Sequence, residues 1–147
     1  MDQVNRVVAI GSPHGDDQAG WRIAERFRDR GNVNAGVVAL SDASQLLESI
    51  DKCDRLIVVD ACCGGGKPGT VTRLEWPDER IVERHSHSTH GIGVADVLQL
   101  AESLDRLPRE VLIFGIELSQ CQPGLPLSDV VECALSELEE KILLEIR

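Results

Sequence analysis

Apolar positions in this chain fall into short unbroken runs separated by stretches with a helical period. Residues 4–11 (VNRVVAIG) and 56–60 (LIVVD) are β-branched runs of strand length, the pattern of strands covered on both faces. After residues 12–15, a turn, the period lengthens. Gly20, Ile23, Ala24 and Phe27 share one helical face, and Arg22, Glu25, Arg26 and Arg30 point away from it. Asp16 and Asp17 stand at the start of this predicted helix, where its dipole is positive, and Gly31 stands at its end as a C-cap. Residues 35–40 (AGVVAL) predict a second strand. Asp42 with Gln45 three positions later predicts a capping box, opening a short helix through Leu46, Leu47 and Ile50. Strand, helix, strand, helix, strand in this order is the pattern of right-handed βαβ units around a parallel sheet.

The rhythm then breaks. Residues 70–76 (TVTRLEW) look like a strand, yet only residues 61–69 separate them from the previous one. A parallel crossover needs about a dozen residues or more. This strand is therefore expected to run antiparallel, at or near an edge. Residues 77–88 form a polar stretch holding His85 and His87. A second long helix is expected to begin near Thr89 and His90, with Val94, Val97, Leu98, Ala101 and Leu104 as its buried stripe. Residues 110–116 (EVLIFGI) predict a fifth strand, and residues 119–126 a loop with two prolines. Ser128 or its neighbour is expected to cap a last helix with the stripe Val131, Ala134, Leu135, Leu138 and Ile142. The expected fold is a three-layer α/β/α sandwich on a mixed five-stranded sheet with one antiparallel strand, built as a single domain over residues 1–147.

Composition narrows the function. A chain 42% hydrophobic and 27% charged suits a soluble globular protein. Its apolar runs are too short to span a bilayer, and residues 1–11 lack the basic flank and apolar stretch of a signal peptide, so a cytoplasmic protein is expected, and separately a monomer. The net charge of −10 argues against nucleic acid and anionic membranes as partners. Five cysteines without a CxxC are neither a disulfide framework nor a zinc ribbon. Cys53 and Cys133 read as small residues in or near the core. Cys62 and Cys63 read either the same way or as redox or thiolate ligands.

Topology brings candidate chemistry to one rim. Asp16 and Asp17 follow the first strand, and Asp60 closes the third. His90 opens the helix that leads into the fifth strand, so a parallel fifth strand puts it at the same carboxyl edge, where α/β sheets bind ligands. Two carboxylates and an imidazole suit a divalent metal such as zinc or nickel. They equally suit a general base with a histidine partner. Against this, aspartates at helix starts are commonly caps, and a single histidine there is commonly solvated, the reading preferred for His14, His85 and His87. Gly64-Gly65-Gly66-Lys67 lacks the spacing and following helix of a phosphate loop.

Four segments together resemble the hydrogenase maturation proteases. They are VVAIGSPHGDDQAG (7–20), LIVVDACCGGGKPGTV (56–71), SHSTHGIGVADVLQLA (86–101) and LPREVLIFGIEL (107–118). The resemblance implies a phosphorylase/hydrolase-like fold and an aspartic-type endopeptidase. Its substrate would be the large-subunit precursor of a nickel–iron hydrogenase, trimmed at the C-terminus. It implies Asp17, Asp60 and His90 as the metal-binding and catalytic set. The metal it implies is nickel carried by the substrate, which zinc or cadmium could replace in a crystal. The chain departs from the family pattern at residues 11–15, a shortening that fits either Asp16 or Asp17 as ligand. It departs again at Ser41-Asp42-Ala43-Ser44, where the family has a glycine-rich segment. A non-catalytic module that grips a precursor, and a small hydrolase with its own zinc, are the competing expectations.

Overall fold

The computed structural model describes residues 3–63, 65–81 and 93–146. The strands are β1 (Asn5–Ile10), β2 (Gly36–Leu40), β3 (Arg55–Cys62), β4 (Val71–Glu75) and β5 (Glu110–Glu117). They form one five-stranded sheet in the order β2-β1-β3-β5-β4. β1 pairs in parallel with β2 and β3, and β3 in parallel with β5. β4 runs antiparallel to β5 at the edge, as its short connection requires. The described helices are α1 (Ala19–Arg30), α2 (Leu46–Ser49), α3 (Val94–Ser103) and α4 (Asp129–Glu145).

Strand alternation sorts side chains onto the two faces of the sheet. Val7 and Ala9, Ile57 and Val59, and Leu112 and Phe114 pack with residues of α1 and α4. Their neighbours Val8 and Ile10, Leu56 and Val58, and Val111 and Ile113 pack with α2 and α3. Uninterrupted apolar runs are therefore needed in β1, β3 and β5, and each fully buried Leu, Ile or Phe contributes about 1.5–3 kcal/mol. Among the described residues no helix is long and apolar enough to cross a membrane.

Several expectations change. The first helix does not begin at Asp16: a 3-10 turn, Gly15–Gln18, precedes α1. Gly31 ends α1 as predicted, with φ +62 and its N–H donated to the Phe27 carbonyl. The Asp42–Gln45 capping box is present, but opens a 3-10 turn, Ala43–Gln45, ahead of α2. β3 continues two residues past Asp60, because Ala61 and Cys62 still pair with Ile116 and Glu117. Leu104 lies past the end of α3 and is 50% exposed, so it leaves the predicted stripe. Cys133 is exposed on α4, whereas Cys53 is half-buried beside the α2–α3 core. The proposed helix start at Thr89 and His90 lies outside the described residues, as do His85 and His87.

Candidate functional site

The parallel strands end at a common rim, at Ile10, Leu40, Cys62 and Glu117. The segment from β1 to α1 turns sharply there. Ser12 N–H donates to the Asp17 carbonyl (3.1 Å), and Asp17 N–H donates to the His14 carbonyl (3.0 Å). Glycine is required on both sides of this turn. A Cβ on Gly11 would lie 2.7 Å from the Asp17 carbonyl oxygen, and one on Gly20 would lie 2.5 Å from that of Ile10. Helix α1 is thereby pressed against the end of β1, and Asp17 is delivered to the rim.

Asp60 faces Gly115 across the β3–β5 ladder. Burial holds its carboxyl well above the usual carboxylate range, and the charge of Asp17 raises it further. The Ala61 N–H opposes that rise. Asp17 is itself raised by burial, against a hydrogen bond from Ser12 and the charge of His14. Two carboxylates thus meet at this rim, and the charge of Asp17 pushes Asp60 toward protonation. Their oxygens suit a divalent cation, which would relieve the repulsion between them. Among the described residues no group of three or more His, Cys, Asp or Glu forms a complete metal site. The remaining expected member, His90, lies outside the described residues.

Asp16 has a different place from Asp17. It is fully buried, with Oδ1 accepting from Ser128 N–H (2.7 Å). Oδ2 accepts from Ser119 N–H (2.7 Å), Gln120 N–H (3.1 Å) and the Ser128 hydroxyl (2.9 Å). Ser128 is the N-cap residue of α4, but its hydroxyl serves Asp16 and makes no cap within its own helix. His14 is exposed.

Sequence reasoning passed over Glu117. It ends β5 opposite Cys62 and is 3% exposed. Its carboxylate accepts from Gly66 N–H (3.1 Å) and faces the Cys62 sulfur at 3.5 Å. The Gly66 N–H is thus committed to a carboxylate, and no helix follows the glycines, since β4 comes next. Cys62 is a buried strand residue, and Cys63 is exposed. A charged residue closing a strand looks like a solvent-facing boundary, so no local signal marked Glu117 as buried.

The family model described as hydrogenase maturation protease matches residues 21–145. The chain belongs to the hydrogenase maturation protease family. Among curated members, the match to the hydrogenase expression/formation protein HupD of Bradyrhizobium diazoefficiens is 33% identical over 129 residues. It covers 82% of this chain and 64% of that protein. The match to the hydrogenase 2 maturation protease of Escherichia coli is 26% identical over 136 residues, covering 90% and 83%. The chain thus spans under two thirds of the HupD protein and most of the E. coli protein. The fold is that of the solved hydrogenase maturating endopeptidase HybD from E. coli, with TM-score 0.83 and 24% identity over 99% of this chain and 93% of that one. HybD from Thermococcus kodakarensis superposes with TM-score 0.79 and 24% identity, over 99% of this chain and 100% of that one. Within this maturation-protease fold the antiparallel β4 closes one edge of the sheet, and Asp17 and Asp60 meet at the carboxyl rim of the parallel strands.

Proposed function

We propose that this chain is an endopeptidase that removes the C-terminal extension from a nickel-loaded large-subunit precursor of a nickel–iron hydrogenase. The observation that carries the reading is the pair Asp17 and Asp60, two carboxylates on separate elements that share one electrostatic field at the ligand-binding rim. Family membership supports the substrate class. The substrate's own nickel would be the recognition element, held by Asp17, Asp60 and His90. Nickel bound there would fix the precursor's C-terminal segment at the rim and add positive charge where negative charge develops on the scissile carbonyl.

The chain's own groups supply the rest. Asp60, ionised when it holds the metal, would use its remaining oxygen to take a proton from the attacking water and pass it to the departing amine. In this hydrolysis the water oxygen bonds to the carbonyl carbon, the C–N bond breaks, and the amine leaves with a proton. Gly65, with nothing within 4 Å of where a Cβ would stand, would leave space for the extended tail of the substrate.

The test is cleavage of nickel-loaded precursor by the purified chain and by Asp17→Asn, Asp60→Asn and His90→Ala. Each substitution is expected to lower turnover by about a hundredfold or more. Unchanged cleavage in all three would sink the reading, and so would free digestion of casein in the absence of nickel.

A further inference from the structure

The residue next to Asp17 has a role that neither the family nor the proposed chemistry assigns. The Gly15–Gln18 turn and the loop at residues 119–128 are far apart in sequence but joined by several hydrogen bonds. Besides the Asp16 carboxylate with its donors at Ser119, Gln120 and Ser128, Asp16 N–H donates to the Gln120 carbonyl (2.8 Å). Gly15 N–H donates to the Leu125 carbonyl (3.1 Å), and Gln18 Nε2 donates to the same oxygen (3.2 Å). Gly15 has φ +51, and a Cβ there would run into Gln120 Oε1, so the two backbones meet as closely as glycine allows. The loop is braced in turn: Gln120 Nε2 donates to the Pro126 carbonyl (3.1 Å), and Gln122 N–H donates to Gln120 Oε1 (3.0 Å).

We infer that Asp16 is a positioning residue: it fastens the turn to the 119–128 loop as one body, and that body holds Asp17 at the rim. Every group bonded to the Asp16 carboxylate is a donor, and one of them opens helix α4, whose first turn carries the positive end of its dipole. An ionised carboxylate fits this nest. An asparagine would turn its own NH₂ toward an N–H. Asp17 directly follows buried Asp16 in the same four-residue turn, so loosening that attachment loosens Asp17. This inference rests on the proposed function for its catalytic consequence, but not for the joining of the two segments.

The experiment compares wild type, Asp16→Asn and Ile142→Ala. Ile142 is a buried residue on α4 about 20 Å along the helix from Ser128, so its substitution lowers stability without touching the turn. Amide hydrogen exchange is followed at residues 15–18 and 119–128, and kcat and KM for precursor cleavage are measured well below each melting temperature. Asp16→Asn is expected to raise exchange in both segments together. It is also expected to lower kcat on the order of tenfold to a hundredfold with KM little changed. Ile142→Ala should do neither. Exchange that rises in one segment alone, or not at all, overturns the joining. A kcat equal to wild type, or an equal loss in Ile142→Ala, overturns the positioning role. Wild-type protein that fails to cleave the precursor refutes the proposed function, and the exchange data then decide the joining alone.

Discussion

The burial of Asp17 and Asp60, with the charge of Asp17 acting on Asp60, has a consequence for stability. Both carboxyls are raised in the folded protein, chiefly by burial. A carboxyl raised on folding favours the folded state fully below its unfolded value of about 3.9, and that contribution is lost as pH rises through the folded value. At neutral pH the pair is therefore a cost carried at the rim. Asp60→Asn is expected to melt higher than wild type at pH 7, with the gap closing as pH falls below about 4. Thermal unfolding across that range checks it, and a lower melting temperature at pH 7 contradicts it. Asp16 is a buried carboxylate whose oxygens accept four hydrogen bonds. Asp16→Ala strands its donors and is expected to lose about 3 kcal/mol of unfolding free energy in urea titrations.

At the scale of elements, the decisive joint is between β1 and α1. The Leu40 carbonyl at the end of β2 accepts from Gly11 N–H (3.0 Å) and from Trp21 Nε1 (2.9 Å). Strand end, turn and helix start thus converge on one point. Alanine in place of a helical glycine ordinarily gains about 1 kcal/mol. At Gly20 the added methyl would lie 2.5 Å from the Ile10 carbonyl oxygen, so the helix must shift. Gly20→Ala is expected to cost about 1–3 kcal/mol net and to reduce precursor cleavage, because the shift carries the turn bearing Asp17 with it. A stabilised, fully active variant would show that this joint is not tight.

On the scale of the molecule, the two edges of the parallel strands divide the work. The carboxyl edge gathers Asp17, Asp60 and Glu117. At the other edge Arg55 donates to the Glu145 carbonyl, to Glu145 Oε2 (2.5 Å) and to Glu110 Oε1 (3.0 Å). Arg73 also meets Glu145 (2.5 Å), so the end of α4 is tied to β3, β4 and β5. Burial would raise Glu145, but the hydrogen bonds from Arg73 and Arg55 prevail and lower it. A lowered carboxyl stabilises above its unfolded value of about 4.3 and loses that effect as pH falls through its folded value. Acid should loosen this edge while relieving the rim. Arg55→Met is expected to cost about 3 kcal/mol, since it leaves a largely buried acid less compensated. Cleavage well below the melting temperature should be unaffected, because the rim lies at the opposite end of β3. A matching loss of kcat would refute the division.

The sequence by itself determined the layers and the rim. Runs such as LIVVD must be covered on both faces, and the short connection before TVTRLE forces an antiparallel edge strand, as observed. Those constraints are local, carried by hydrophobicity and chain length. Tertiary structure alone decided what each acid at the rim touches. Asp16 and Asp17 are adjacent and chemically identical, and only the approach of backbone N–H groups more than a hundred positions away gives Asp16 surroundings that Asp17 lacks. Backbone donors leave no mark in side-chain pattern. The same reason hid Glu117, whose burial follows from β5 and β3 continuing together past Asp60.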